Sequence, residues 1–219
     1  MNKKGIKLIA ALTAGVFAVT GFVGLQAARG IASVETVEYA IEENAAYDSG
    51  NAGTIMSGAD DLGDISIKSG QGYKYVYLKG LKGEALLVTD HPMSDLGNTS
   101  IITKVYVQKD GGPVVYVGEL TTGTSKYEVS ISDNGVLVVR STRQFETYIL
   151  SADGKRLEVK DSVGFVNKGP IEDPAIYSGY TRASDLNSPK VNFTGGENEF
   201  YNLEKTLFHS VEPIKFKVK

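Results

Sequence analysis

The chain has 219 residues, a formal net charge of −3 and the composition of an ordinary globular protein, so one domain with an appendage is expected. It contains no cysteine, which excludes disulfide bonds, thiolate chemistry and lipid attachment at a thiol. No cluster of basic residues with interleaved aromatic residues is present, so we expect no nucleic-acid partner.

The N-terminus has the pattern of a targeting segment. It opens with MNKKGIK, and residues 8–28 then carry no charge. A basic start before an apolar run is typical of a signal peptide, and this run is also close to the length that crosses a bilayer. Small residues at Gly30 and Ala32 suit a signal peptidase. We predict that residues 1–32 are a signal peptide or membrane anchor, and that the rest is extracytoplasmic, secreted or anchored by this segment.

Acidic residues dominate the next part of the chain. Residues 33–67 include no lysine or arginine, and Gly and Asn interrupt them repeatedly, as in AAYDSGNAGTIMSGADDLGD. Such a tract has little apolar surface to bury and therefore predicts a flexible acidic spacer. Residues 68–219 are nearly neutral and are predicted to be an extracytoplasmic β domain.

Alternating apolar and polar residues then predict strands in close succession. YKYVYLK places Tyr73, Tyr75 and Tyr77 on one face of a strand. Further strands are predicted in EALLVTD, TKVYVQ, PVVYVGEL, KYEVSIS, VLVVRS, QFETYILS and RLEVKD. The segments KDGG, TTGT, DNG and ADGK are predicted as hairpin turns. The pattern predicts an all-β fold, an antiparallel meander that forms a sandwich or partly open barrel. The chain is too short for a propeller with about 40 residues per blade.

The C-terminal third is richer in loops. Two short strands are predicted near residues 175–177 and 191–193, and the spacing of apolar residues over 199–208 predicts a short helix. The final PIKFKVK predicts a strand with lysines along one face, which suits the edge of a sheet. At most one or two short helices are expected.

The segment TDHPMSD offers the one grouping of catalytic side-chain types. Asp90, His91 and Asp95 lie within it, and a carboxylate that orients a histidine is a common general base. Adjacent residues of an extended chain point to opposite sides, however, so Asp90 is not expected to brace His91. His209 has no partner in the sequence. No phosphate-binding loop, nucleophile elbow or metal-ligand spacing is present, so neither a metal nor a cofactor is expected.

Tyrosine is the one unusual component, with twelve residues against no tryptophan. Tyr73, Tyr75 and Tyr77 are the candidate ligand-binding residues, because a row of exposed tyrosines stacks on sugars or packs on another protein. The alternative is that these rings only cover a half-buried face of a sheet.

Residues 83–160 also resemble a known type of domain. GEALLVTD, the strands with YVGE and TGT, and the strand pair that continues to Lys160 resemble a β-rich domain of secreted or surface-anchored proteins from low-GC Gram-positive bacteria. Relatives often carry a Gly-His-His segment where this chain has Arg140 to Arg143. The resemblance implies an extracytoplasmic location and a β fold, and it implies no activity.

These observations predict a non-catalytic binding or structural module of the cell envelope. Its expected partner is a cell-wall glycan or another envelope protein, with membrane contact only through the N-terminal segment. The alternative is a hydrolase of envelope polymers that uses Asp90, His91 and Asp95.

Overall fold

The computed structural model of the chain describes residues 46–122, 126–166 and 175–219. Within them, two antiparallel sheets of seven strands each face one another as a β-sandwich, which confirms the all-β prediction. The first six strands form most of sheet I. They are β1 (Ala46–Asp48), β2 (Thr54–Ile55), β3 (Gly72–Tyr77), β4 (Glu84–Thr89), β5 (Ile102–Gln108) and β6 (Val114–Thr121).

Sheet II is built mainly from the second half of the chain. Its strands lie side by side in reverse chain order from β12 to β7, and a short strand after the helix completes it at β7. The elements are β7 (Ser130–Ser132), β8 (Leu137–Arg140), β9 (Gln144–Leu150), β10 (Leu157–Val166), β11 (Ile176–Arg182), β12 (Lys190–Gly195), α1 (Glu197–Leu207) and β13 (Val211–Pro213).

The C-terminus joins both sheets. β13 pairs with β7 in sheet II, and the last strand, β14 (Lys217–Val218), pairs with β3 in sheet I. Between them, Ile214 and Phe216 are buried in the core. The predicted edge strand is therefore shorter than PIKFKVK, because the chain crosses from one sheet to the other within that segment.

The main core lies between the two sheets. Residues at alternate positions of each strand point inward, as the period of two requires. Ala85 and Leu87 of β4 and Leu137 of β8 are fully buried there, and Tyr148 fills the space between the sheets. Burial of a Leu or Val side chain contributes roughly 1.5–3 kcal/mol, so this layer supplies the main driving force for folding.

A second, smaller core lies on the outer face of sheet II, where α1 packs. Phe200 of the helix is fully buried, and its ring stacks on Tyr177 with centroids 4.2 Å apart. Phe145 and Val163 complete the cluster from β9 and β10. The helix predicted over 199–208 is thus confirmed, and it begins after Gly196, whose amide donates to the Glu199 carboxylate at 3.1 Å.

The prediction of a flexible spacer is wrong for residues 46–67. β1 and β2 both pair with β6, and a 3₁₀ turn at Leu62–Asp64 follows them. Tyr47 explains the order, because its side chain packs against the core and bonds to both sheets. One large aromatic residue therefore anchors a tract whose composition alone favours disorder. Residues 33–45 lie outside the described residues.

One predicted hairpin is also wrong. The TTGT segment is predicted to join paired strands, but β6 belongs to sheet I and β7 to sheet II. The chain changes sheets between them, and residues 123–125 lie outside the described ranges. The turns at KDGG, DNG and ADGK do join paired neighbours, β5–β6, β7–β8 and β9–β10.

The predicted signal peptide or anchor, residues 1–32, lies outside the described residues. In the part of the chain that the structure describes, no helix has the length and apolar character needed to cross a membrane.

Candidate ligand-binding surface

The outer face of sheet I carries a row of aromatic side chains. Tyr73, Tyr75 and Tyr77 of β3 lie on one face of the strand, as predicted, and Val76 between the last two is buried in the core on the other face. Across the sheet, Tyr75 lies opposite Leu86, and Leu86 lies opposite Tyr106. We call the following set the tyrosine face: Tyr73, Tyr75, Tyr77, Leu86, Tyr106 and Tyr116.

The rings of the tyrosine face support one another. Tyr73 and Tyr75 meet nearly perpendicular with centroids 6.4 Å apart, and the ring centroids of Tyr106 and Tyr116 are 5.3 Å apart. Leu86 lies on the same outer face yet is only 1% exposed. Burial of these rings raises the pKa of the Tyr75, Tyr106 and Tyr116 hydroxyls, so all three remain neutral donors at physiological pH.

The exposure of each ring shows which tyrosines of the tyrosine face can contact a ligand and which only cover the sheet. Tyr75 keeps 37% and Tyr77 69% of its surface exposed, whereas Tyr73, Tyr106 and Tyr116 are half-buried. The three half-buried rings therefore cover the sheet, whereas the exposed rings of Tyr75 and Tyr77 are available to a ligand.

A depression of about 440 Å³ lies beside Tyr75. Its polar lining comes from four separate segments, and three of its six polar side chains are acidic. The side chains that can contact a ligand there are Asp61, Tyr75, Lys82, Glu84, Gln108 and Asp110.

Local hydrogen bonds fix one wall of this depression. Asp61 caps the 3₁₀ turn by accepting from the amide of Gly63 at 2.6 Å. The Gln108 side-chain amide donates to the carbonyl oxygen of Asp60 at 2.7 Å, which fastens the turn to β5. Residues of the predicted acidic spacer thus form part of the site, and composition alone gave no signal for this.

The three catalytic candidates do not assemble as a general-base pair. Asp90 is bound by the ammonium of Lys104 and by the amide of Gln71, each at 2.5 Å. The hydrogen bond from Lys104, followed by that from Gln71, lowers the pKa of Asp90. His91 is exposed and, among the described residues, forms no hydrogen bond or ion pair with Asp90 or Asp95. Asp95 lies in an exposed 3₁₀ turn.

A second concave region lies on the outer face of sheet II. This cleft of about 550 Å³ is bounded by the end of α1, the β7–β8 turn and the β11–β12 connection. His209, which had no partner in the sequence, lies on its wall, and its Nδ1 is 3.2 Å from the carbonyl oxygen of Thr206.

A buried ion pair forms the floor of the cleft. Lys160 Nζ lies 2.8 Å from Asp161 Oδ2, and the two residues are only 8% and 2% exposed. The carboxylate of Asp161 also accepts from the Thr147 hydroxyl at 2.6 Å and from the Arg182 amide at 2.7 Å. A β-bulge between Val159 and Asp161 turns both charged side chains toward the cleft. In a regular strand two neighbouring side chains point to opposite faces, so the sequence alone does not predict that Lys160 and Asp161 face the same cleft.

The described part of the chain contains no group of three or more His, Asp or Glu side chains that could hold a metal ion.

The protein is an antiparallel β-sandwich with an aromatic face on one sheet and a polar cleft on the opposite sheet. No family model matches the chain, and no curated protein or solved structure matches it.

Proposed function

We propose that this protein is a non-catalytic binding module of the cell envelope, and that its tyrosine face recognises a neutral glycan. The observation that carries the proposal is the exposed ring of Tyr75 at the edge of a depression lined by carboxylates. A sugar ring presents C–H groups on its faces and hydroxyl groups at its rim. An aromatic wall with adjacent acceptors is complementary to both.

The charges around the depression favour a ligand without acidic groups. Asp61, Glu84 and Asp110 face one lysine, Lys82, so an anionic polymer meets net repulsion there. The carboxylate oxygens instead accept hydrogen bonds from sugar hydroxyl groups. Tyr77, further along the same strand, extends the aromatic surface for a second sugar unit.

The cellular location is part of the same proposal. The basic start, the uncharged run over 8–28 and the resemblance to secreted and surface-anchored proteins support an extracytoplasmic module. There the module meets cell-wall glycans, whose N-acetylated amino-sugar units are neutral and so are not repelled by the carboxylates of the depression.

Binding of chitotetraose, a neutral tetramer of N-acetylglucosamine, to the full-length protein tests the proposal. Tyr75→Ala is expected to weaken binding about fivefold or more, because the stacking surface is lost. Tyr75→Phe keeps the ring and is expected to retain most of the affinity. Tyr201→Ala is the matched control, since Tyr201 is 46% exposed on α1, away from sheet I.

Two results would overturn the proposal. One is the absence of wild-type binding to chitotetraose and to a panel of other neutral glycans. The other is an equal loss of binding in the Tyr75→Ala and Tyr201→Ala variants. Capture of an envelope protein by the tyrosine face without any glycan binding would replace the glycan with a protein ligand.

A further inference from the structure

The cleft on sheet II holds two charges of opposite sign that do not pair with each other. Lys79 lines the cleft, and among the described residues its ammonium group has no hydrogen bond or ion pair. Asp133 also lines it, and its carboxylate accepts one hydrogen bond, from the hydroxyl of Ser210 at 3.0 Å. Each charge is therefore free to bind a group of the opposite sign.

Lys79 and Asp133 come from neighbouring segments on one side of the cleft. The amide of Lys79 donates to the carbonyl oxygen of Gly135 at 2.9 Å, and Gly135 lies in the same turn as Asp133. The two side chains form no ion pair with each other, so a gap separates their charged groups. A ligand with two adjacent opposite charges can bridge such a gap.

The floor of the cleft adds no net charge. Lys160 and Asp161 neutralise each other at 2.8 Å, and the carboxylate of Asp161 has further donors in Thr147 and Arg182. The remaining lining is mixed, with the hydroxyl groups of Ser184 and Thr206, the ring of His209 and several apolar side chains. Among the described residues, a ligand in the cleft thus meets one lysine and one aspartate without an ion-pair partner, together with the imidazole of His209 and a partly apolar wall.

We propose that this cleft binds a free α-amino acid, with the ligand carboxylate on Lys79 and its ammonium on Asp133. The two charged groups of an α-amino acid are attached to a single carbon atom, which matches a cation and an anion on one side of the cleft. The volume of about 550 Å³ accommodates a small amino acid together with water. A peptide fits less well, because its terminal charges are far apart. A phosphate, with nearly two negative charges, is repelled by Asp133.

Three probes that differ in one charge each test the proposal on the full-length protein. At mildly acidic pH serine carries both charges, N-acetylserine lacks the ammonium, and serine methyl ester keeps its ammonium but lacks the carboxylate. Titration followed by NMR is expected to show serine bound about fivefold or more tightly than either derivative, since each derivative leaves one charge unmatched. The shifted signals should come from the β7–β8 turn and the end of α1.

Two variants assign the charges separately. Lys79→Met keeps the aliphatic stem and is expected to abolish the preference for serine over its methyl ester. Asp133→Asn is expected to abolish the preference for serine over N-acetylserine. Lys215→Met, which removes an exposed lysine that lines neither the cleft nor the depression on sheet I, is the matched control and should change neither preference. Unchanged unfolding midpoints show that the variants remain folded.

Several results would overturn the inference. These are equal binding of the three probes, no binding of serine or of a panel of other amino acids, and preferences that survive both substitutions. Because Tyr75 lies on the other sheet, failure here leaves the glycan test unaffected, and the reverse also holds.

Discussion

The hydroxyl of Tyr47 accepts a hydrogen bond from the backbone amide of Leu157 at 3.0 Å, although the two residues are 110 positions apart. The same hydroxyl donates to the carbonyl oxygen of Val117. Since Val117 belongs to sheet I and Leu157 to sheet II, this one side chain ties the two sheets together. Its ring also packs on Tyr148, with centroids 5.6 Å apart. The N-terminal acidic tract is therefore part of the sandwich where Tyr47 enters it.

Removal of this hydroxyl is expected to destabilise the fold. Tyr47→Phe leaves the ring in place but deprives the buried Leu157 amide of its acceptor, which costs about 1–2 kcal/mol of unfolding free energy. Urea denaturation measures the loss. Tyr77→Phe is the control, because the Tyr77 side chain is 69% exposed and its hydroxyl should matter by less than about 0.5 kcal/mol. Equal stability of the wild type and Tyr47→Phe would contradict the role given to Tyr47.

Gly118 determines whether β1 can dock. It has a φ of 123°, and a Cβ at this position would clash with the ring of Tyr47. Gly118→Ala is therefore expected to displace Tyr47 and to destabilise the protein by about 1–3 kcal/mol beyond the backbone strain. Gly83→Ala is a matched control, since Gly83 has a φ of 118° and no atom beyond its own chain neighbours lies within 4 Å of the point that an alanine Cβ would occupy. If the two variants unfold at the same urea concentration, the close packing of Tyr47 on Gly118 does not contribute to the free energy of unfolding.

Glu146 gives a prediction about pH. It is 1% exposed, and burial raises the pKa of its carboxyl even though the hydroxyls of Tyr148 and Ser162 donate to it. The carboxyl thus keeps its proton in the folded state at pH values where the unfolded chain has lost it, above about pH 4.3. Its contribution to stability is complete below that pH. It is lost as the pH rises to the folded-state pKa.

Glu146→Gln is expected to remove this dependence. The glutamine amide can bond to both hydroxyls and does not ionise, so the variant should gain stability over the wild type as the pH rises above about 4.3. The difference should grow by at most about 1.4 kcal/mol per pH unit until the folded-state pKa is reached. Denaturation at a series of pH values measures it. A constant difference between the two proteins across the range from acidic to neutral pH would contradict the prediction.

Local patterns predicted the strands and the direction of their side chains well. Alternation in YKYVYLK placed Tyr73, Tyr75 and Tyr77 on one face, and the structure places them on the outer face of sheet I. The helix near Phe200 and the turns with Asp-Gly and Asn-Gly were equally visible. These features depend on neighbours within a few residues, which a single sequence displays directly.

The composition of the candidate sites could not be predicted from the sequence to the same extent. The candidates at Asp90, His91 and Asp95 are close in the chain, yet Asp90 pairs with Lys104 on the neighbouring strand. Lys79 and Asp133 are far apart in the chain and line one cleft because the Lys79 amide bonds to Gly135 and because β13 and α1 enclose the space beside them. The periodicity of a sequence predicts local structure and does not show which distant residues come together.

The sequence by itself determined the β class, the tyrosine stripe and the turn positions, because backbone periodicity and turn chemistry are local. Only the tertiary structure decided that residues 46–67 join the sandwich, that the chain changes sheets after β6, and that Lys160 and Asp161 both face the cleft. These outcomes depend on long-range strand pairing and on a β-bulge, whose energies are set by residues distant in the chain. The stripe of tyrosines could thus be predicted, whereas the acidic wall beside it required the fold.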